Sequence, residues 1–183
     1  MRVIAICLMF VGLVVASRPA EAHQRTWPGQ RLAATMPSAA KFTERQEVLT
    51  AAQLAWVEKA LGEPVRADDR KPYFYVGVDA SGRSLGVVVF LDATGENDKL
   101  ELGVAIDRLG VVMAVVVFEN SESGSVTTKA FLGQFVGKRA ADKFKVGADV
   151  KEAKGAPVAA QAIASAARRG LLLAMAALRL GAK

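Results

Sequence analysis

Lys151 and Lys154 stand just before a segment that turns at Gly155 and enters a helix at Ala156-Pro157. The first N–H groups of a helix have no partner inside it, and the positive end of the helix dipole lies there. Two ammonium groups beside such a start make a place where a phosphate can be held. The candidate site takes in Asp149, Lys151, Lys154, Gly155, Ala156, Pro157 and Val158. Many helices begin with Gly and Pro, so the pattern by itself leaves the ligand open.

Other chemistry is excluded more firmly. His23 is the only histidine, and no Ser has a His to activate it, which removes a Ser-His-Asp mechanism. The single cysteine, Cys7, lies in a segment expected to be removed, so thiolate nucleophiles, disulfides and thiolate metal sites are not available to the mature chain. Without Cys or a second His a transition-metal site is not expected. The carboxylates Asp68, Asp69, Asp92, Glu96 and Asp98 fall in polar loops and read as solvating them. Redox chemistry would need a borrowed cofactor.

Met1 to Ala22 has the order of a secretory signal: Arg2, an apolar run from Val3 to Val15, and Ala20-Glu21-Ala22 ahead of a cut before His23. That run is shorter than the ~20 residues that span a bilayer, and no later segment spans either, since Arg168, Arg169 and Arg179 interrupt the Leu-rich stretch near the C-terminus. A periplasmic or extracellular location is expected. The net charge of +6 becomes +5 when Arg2, Arg18 and Glu21 leave together. The excess gathers around Lys138-Arg139, Lys143, Lys145, Lys151 and Lys154, either a solvated face or a local site for an anionic group. Export and the lack of interleaved aromatics argue against nucleic acid as a partner.

The elements that must hold the site follow from period and punctuation. Residues 23–47 read as an irregular lead-in or a short helix near Ala39 to Glu47. Thr50 and Gln53 form a capping box for a helix with Leu54, Val57 and Leu61 on one face, stopped by Gly62 and Pro64. Tyr73 to Asp79 and Ser84 to Leu91 form one hairpin, and Lys99 to Ile106 with Val111 to Glu119 a second, whose valine-rich strand reads as buried on both faces. Thr127 or Thr128 caps a helix carrying Phe131, Leu132, Phe135 and Val136, ended by Gly137. Pro157 opens a long helix to about Leu180. The expected class is α+β: an antiparallel sheet of two hairpins with flanking helices and a long C-terminal helix, in one domain over 48–183.

The stretch from Asp149 to Arg169 resembles the periplasmic FMN-binding domain of the flavin subunits of Rnf and Na⁺-translocating quinone reductase complexes and of small exported proteins. Asp149, Gly155, Ala156, Ala160, Ala162, Ile163, Ala166, Arg168, Arg169 and Leu171 fall in register with it. Val117-Phe118-Glu119 and Phe131 to Phe135 followed by Gly137-Lys138 extend the match, which covers roughly Thr50 to Leu178. The resemblance implies a flavin in electron transfer, a membrane redox complex as partner, and Glu119 with the loop to Ser125 beside the flavin ring.

One position departs decisively. The threonine that the family esterifies to FMN phosphate is Pro157 here, the preceding Ser is Lys154, and a later hydroxyl position is Ala159. Proline offers neither an oxygen nor an N–H, so covalent flavinylation at that position is impossible. Three readings remain: FMN held without a covalent bond by Lys151, Lys154 and the helix start; a flavin-free binding module of an electron-transfer or transport system; or a basic pocket for another phosphate-bearing ligand.

Overall fold

The structure, a computed structural model, describes residues 29–181. The expected signal, its cleavage point, Cys7 and His23 lie outside the described residues. Helix α1 (Gly29–Thr35) leads into strand β1 (Lys41–Gln46), followed by helix α2 (Ala51–Leu61) and strands β2 (Tyr73–Val78), β3 (Ser84–Thr94), β4 (Lys99–Asp107) and β5 (Val112–Glu119). A one-turn helix α3 (Lys129–Leu132) and the long helix α4 (Pro157–Leu178) complete the fold. All five strands pair antiparallel in the order β1-β2-β3-β4-β5. The class is α+β.

Local chemistry explains most of the elements. Thr50 Oγ1 accepts the Gln53 N–H while Gln53 Oε1 accepts the Thr50 N–H at 2.8 Å, the capping box read from sequence. Gly62 ends α2 at φ 82°, a left-handed backbone that glycine adopts without a Cβ clash. In the β2–β3 turn Asp79 Oδ1 accepts the N–H groups of Ser81 and Arg83 at 2.9 and 3.0 Å. Thr128 caps α3 through the Phe131 N–H, but only one α-helical turn forms before a 3₁₀ turn at Gly133–Phe135, and Val136 is exposed.

Two expectations are corrected. Residues 41–46 form strand β1 rather than a helix near Ala39 to Glu47, because the Tyr73–Val78 strand offers a free edge that pairs with them residue for residue. The valine-rich β5 is not buried on both faces: it is an edge strand, and Met113 is 36% exposed. Val112 and Val115 enter the larger core, while Val116 and Val117 are only half-buried. The central strands are the doubly buried ones: in β3 Val87 and Val89 enter one core and Val88 the other, and in β4 Val104 and Ile106 enter one and Ala105 the other.

The larger core lies between the sheet and α4, with alternate residues of β3 and β4 pointing to it: Val87, Val89 and Leu91; Leu100, Leu102, Val104 and Ile106. Helix α4 packs on β3 and β4, and α2 packs on α4. A Cβ added at Gly170 would come within 2.5 Å of Leu91 Cδ1 and 3.0 Å of Val89 Cγ1, so the helix approaches the sheet closely only because glycine is there. The opposite face is covered by α1, whose Leu32, with Met36 just after the helix, joins Tyr75, Val88 and Ala105. This arrangement brings the start of α4 to the end of the sheet where the β3–β4 loop and the loop after β5 also lie.

Candidate functional site

Ala156 provides no side-chain cap for α4, and Pro157 has no N–H. The next two donors find an acceptor from another part of the chain. Glu96, in the β3–β4 loop, accepts the Val158 N–H at 2.5 Å and the Ala159 N–H at 2.8 Å. Desolvation works to raise the Glu96 pKa, and the hydrogen bonds from Ala159 and Val158 outweigh it, so the carboxyl lies below its ordinary value. The loop that carries Glu96 is held in turn by Glu122, whose Oε1 accepts the Asn97 N–H at 2.8 Å and whose Oε2 accepts from Asn97 Nδ2 at 3.0 Å. The expectation of unpaired N–H groups at this helix start is therefore corrected. An internal carboxylate sits where a phosphate was expected, and Glu96 does more than solvate its loop.

Asp149 likewise has an internal role. Its carboxylate takes Lys138 Nζ at 2.8 Å, the Lys143 and Phe144 N–H groups at 3.1 Å each, and the Lys145 N–H at 2.8 Å. Burial would raise its pKa, but the Lys138 side chain and the Lys145 and Phe144 N–H groups hold it well below the usual carboxylate range. These bonds support Phe144 at φ 50°, an uncommon backbone for an aromatic residue, while its ring stacks on Phe135 at 6.3 Å. Of the basic cluster, Lys138 is thus consumed inside the fold, whereas Arg139, Lys143, Lys145, Lys151 and Lys154 remain exposed.

Lys151 and Lys154 are brought together. They line an open groove of about 360 Å³, with residues 151–154 forming one wall and Ser125, Thr128, Ala130, Phe131 and Gln134 the other. Gln134 Oε1 accepts the Lys151 N–H at 2.7 Å, fixing the two walls to each other. Thr128 is fully employed, accepting from Phe131 and donating to the Ser125 carbonyl at 2.9 Å. The buried Ser125 Oγ has no partner. Both lysine side chains are exposed on the rim, and Glu152 stands between them in the chain.

The remaining predicted positions lie apart from the groove lining. Gly155 turns at φ 79°, Ala156 is buried, and Pro157 and Val158 are exposed on the capped start of α4. Glu119 is the last residue of β5, paired with Glu101 of β4. Sequence reasoning missed Gln134 and Thr128 as walls and Glu96 as a cap, while Ser125, the end of the loop expected beside the ligand, does line the groove. A signal for the cap was present: a helix beginning Ala-Pro has donors at its second and third positions and no local acceptor.

Buried charge is handled elsewhere, by Arg169 of α4, which is 8% exposed. It pairs with Asp69 at 2.9 Å and donates to the Asp92 carbonyl at 2.6 Å. Burial pushes the Asp69 carboxyl up and the Arg169 guanidinium down, each opposed by the other's charge.

No family model matches the chain, and no curated protein does. Solved structures do match. The chain is similar to NqrC of Shewanella oneidensis in its crystal structure, at 19% identity and a TM-score of 0.47, covering 75% of this chain and 69% of that one.

Proposed function

We propose that this chain is an exported FMN-binding-type domain that holds its ligand without a covalent bond and serves electron transfer with a membrane redox complex. The observation that carries the reading is the meeting of Lys151 and Lys154 on one wall of a groove whose other wall is the segment after β5. The sequence resemblance from Thr50 to Leu178 supports it. The groove's size falls in the range of small-molecule sites, about 300–1,000 Å³.

The residues present fit the phosphate of FMN at the two lysines rather than at the first turn of α4, where the Glu96 carboxylate already takes the N–H groups. They do not fit a phosphoester, since Pro157 has no hydroxyl. In this reading Lys151 and Lys154 compensate the phosphate charge, and Gln134 keeps the walls in place. Bound FMN would supply the electron-accepting and electron-donating chemistry, which no side chain here provides.

The test is a titration of the exported protein with FMN, riboflavin and inorganic phosphate, read by quenching of flavin fluorescence and by calorimetry. FMN binds, riboflavin binds poorly, and Lys154→Glu weakens FMN about tenfold, the scale of losing a charge-assisted bond. The flavin is released on denaturation. A colourless protein that takes up no FMN overturns the reading.

A second reading is favoured by one specific observation. Glu96 closes the helix start from within, which suits a flavin-free module that no longer binds phosphate there. Such a protein takes up no FMN in either its natural form or as Glu96→Gln, whereas an FMN carrier binds more tightly when that nearby negative charge is removed.

A further inference from the structure

The far end of α4 carries a surface that the ligand groove does not use. Trp56 of α2, 44% exposed, stands at an open, largely apolar depression of about 340 Å³ whose other walls are Met175, Ala176, Leu180 and Gly181, with Arg179 at the rim. Gln53 Nε2 donates to the Ala176 carbonyl at 2.6 Å, which fixes α2 to this end. The β4–β5 turn closes against the same place. Gly181 N–H donates to the Arg108 carbonyl at 3.1 Å, and a Cβ at Gly110 would lie 3.3 Å from Met175 Sδ.

That turn presents Leu109, which is 67% exposed. It is a built turn: Asp107 Oδ1 accepts the Leu109 N–H at 2.8 Å and the Val111 N–H at 2.9 Å. Three exposed cations neighbour the two apolar side chains. Arg108 is next to Leu109, Arg179 lines the depression with Trp56, and Lys59 lies three residues after Trp56 on the same face of α2.

We propose that this end of the molecule docks on an anionic lipid bilayer surface, with Trp56 and Leu109 entering the headgroup boundary and Lys59, Arg108 and Arg179 meeting lipid phosphates. An indole and an aliphatic side chain with long basic side chains beside them is the chemistry of a membrane interface, where the rings sit at headgroup level and the cations reach outward. A symmetric pair of copies joined here would set the same three cations against one another, which opposes self-association. No helix among the described residues is long and apolar enough to cross a membrane. Helix α4, 22 residues and about 33 Å long, has the Lys151–Lys154 groove just before its start and the docking depression at its last turn, so docking leaves the groove open. The inference does not rest on the flavin reading.

The experiment is co-sedimentation of the exported protein, its N-terminus read by mass spectrometry, with vesicles of phosphatidylcholine alone or containing about one-third phosphatidylglycerol, at low and high salt. Binding to the anionic vesicles is at least tenfold tighter than to the neutral ones and falls with salt. Leu109→Glu and Trp56→Ser each weaken it about tenfold. Lys59→Gln with Arg179→Asn, an exchange that tolerates the left-handed backbone at φ 53°, weakens it more than tenfold at about fivefold per charge. Lys143→Gln with Lys145→Gln, in the loop by the other groove, leaves it unchanged. Melting curves confirm that the surface variants fold. The proposal is overturned if anionic vesicles are not bound, if only the loop variant loses binding, or if this end proves to join a second copy or a protein partner through Leu109 while vesicles stay unbound.

Discussion

The Glu96 carboxylate sits 2.8 Å from the Ala159 N–H, joining residues 63 positions apart and closing the start of the longest helix with a side chain from the β3–β4 loop. Acidic groups are favourable at a helix N-terminus because they meet both the unpaired donors and the positive end of the dipole. The contact also decides where a ligand anion can go, since the first turn of α4 is already satisfied.

Replacing Glu96 by Ala removes this cap, and the melting temperature at pH 7 falls by about 2–4 °C, the scale expected for a lost cap in a domain of this size. The pH dependence has a definite sign. The folded pKa is below the ordinary value of 4.5, so the stabilisation is complete above that value and disappears as pH falls through the folded pKa. Thermal scans of both proteins from pH 7 to pH 3 should show the gap closing at the acid end; a constant gap would mean that Glu96 acts through packing instead.

Asp149→Asn removes the charge that pairs with Lys138 and gathers the Lys143, Phe144 and Lys145 N–H groups. Unfolding in urea at pH 7 should register a loss of about 1–3 kcal/mol, because Lys138 is left without its carboxylate partner and the loop with weaker acceptors. The effect has the same acid sign as that of Glu96, as the folded Asp149 pKa is also depressed. Hydrogen exchange at Phe144 and Lys145 should accelerate.

The positions where this chain departs from the flavinylated family it resembles in sequence are structurally unequal. Pro157 and Lys154 are exposed, whereas Ala159 is fully buried. Pro157→Thr and Lys154→Ser are therefore tolerated, while Ala159→Thr forces a larger polar side chain into packed core and costs about 1–3 kcal/mol. Chemical denaturation of the single variants checks this ranking. Co-expressed with the flavin-transferring enzyme of that family, the Pro157→Thr and Lys154→Ser double variant should stay unmodified while Glu96 occupies the first turn of α4, and only with Glu96→Gln added should it gain a mass of FMN that survives denaturation. The natural chain should gain none.

Arg169 and Asp69 form a buried pair, so removing one partner is worse than removing both. Asp69→Leu alone leaves the guanidinium uncompensated and costs about 3 kcal/mol, whereas Asp69→Leu with Arg169→Met costs less than the single change. A double-mutant cycle by urea denaturation measures the coupling, and an additive result would show that the two groups do not depend on each other.

What the sequence determined by itself was local or periodic. The Thr50–Gln53 capping box, the Gly62 stop, both hairpins, Thr128 as a cap and Pro157 as the first residue of α4 were legible because each depends on residues within a few positions of one another. Only the tertiary structure decided the rest. The strand at Lys41–Gln46 has little apolar pattern and exists because β2 offers it an edge. The valines of β5 look like those of β3, and their burial differs because one strand is at the border of the sheet and the other inside it. Glu96 resembles any loop carboxylate until folding sets it against the Val158 and Ala159 N–H groups, and Asp149 until the loop closes around it. Spacing along a chain specifies contacts within a turn or a hairpin; which distant carboxylate reaches an open helix start depends on how the sheet and α4 pack, and no local pattern encodes that.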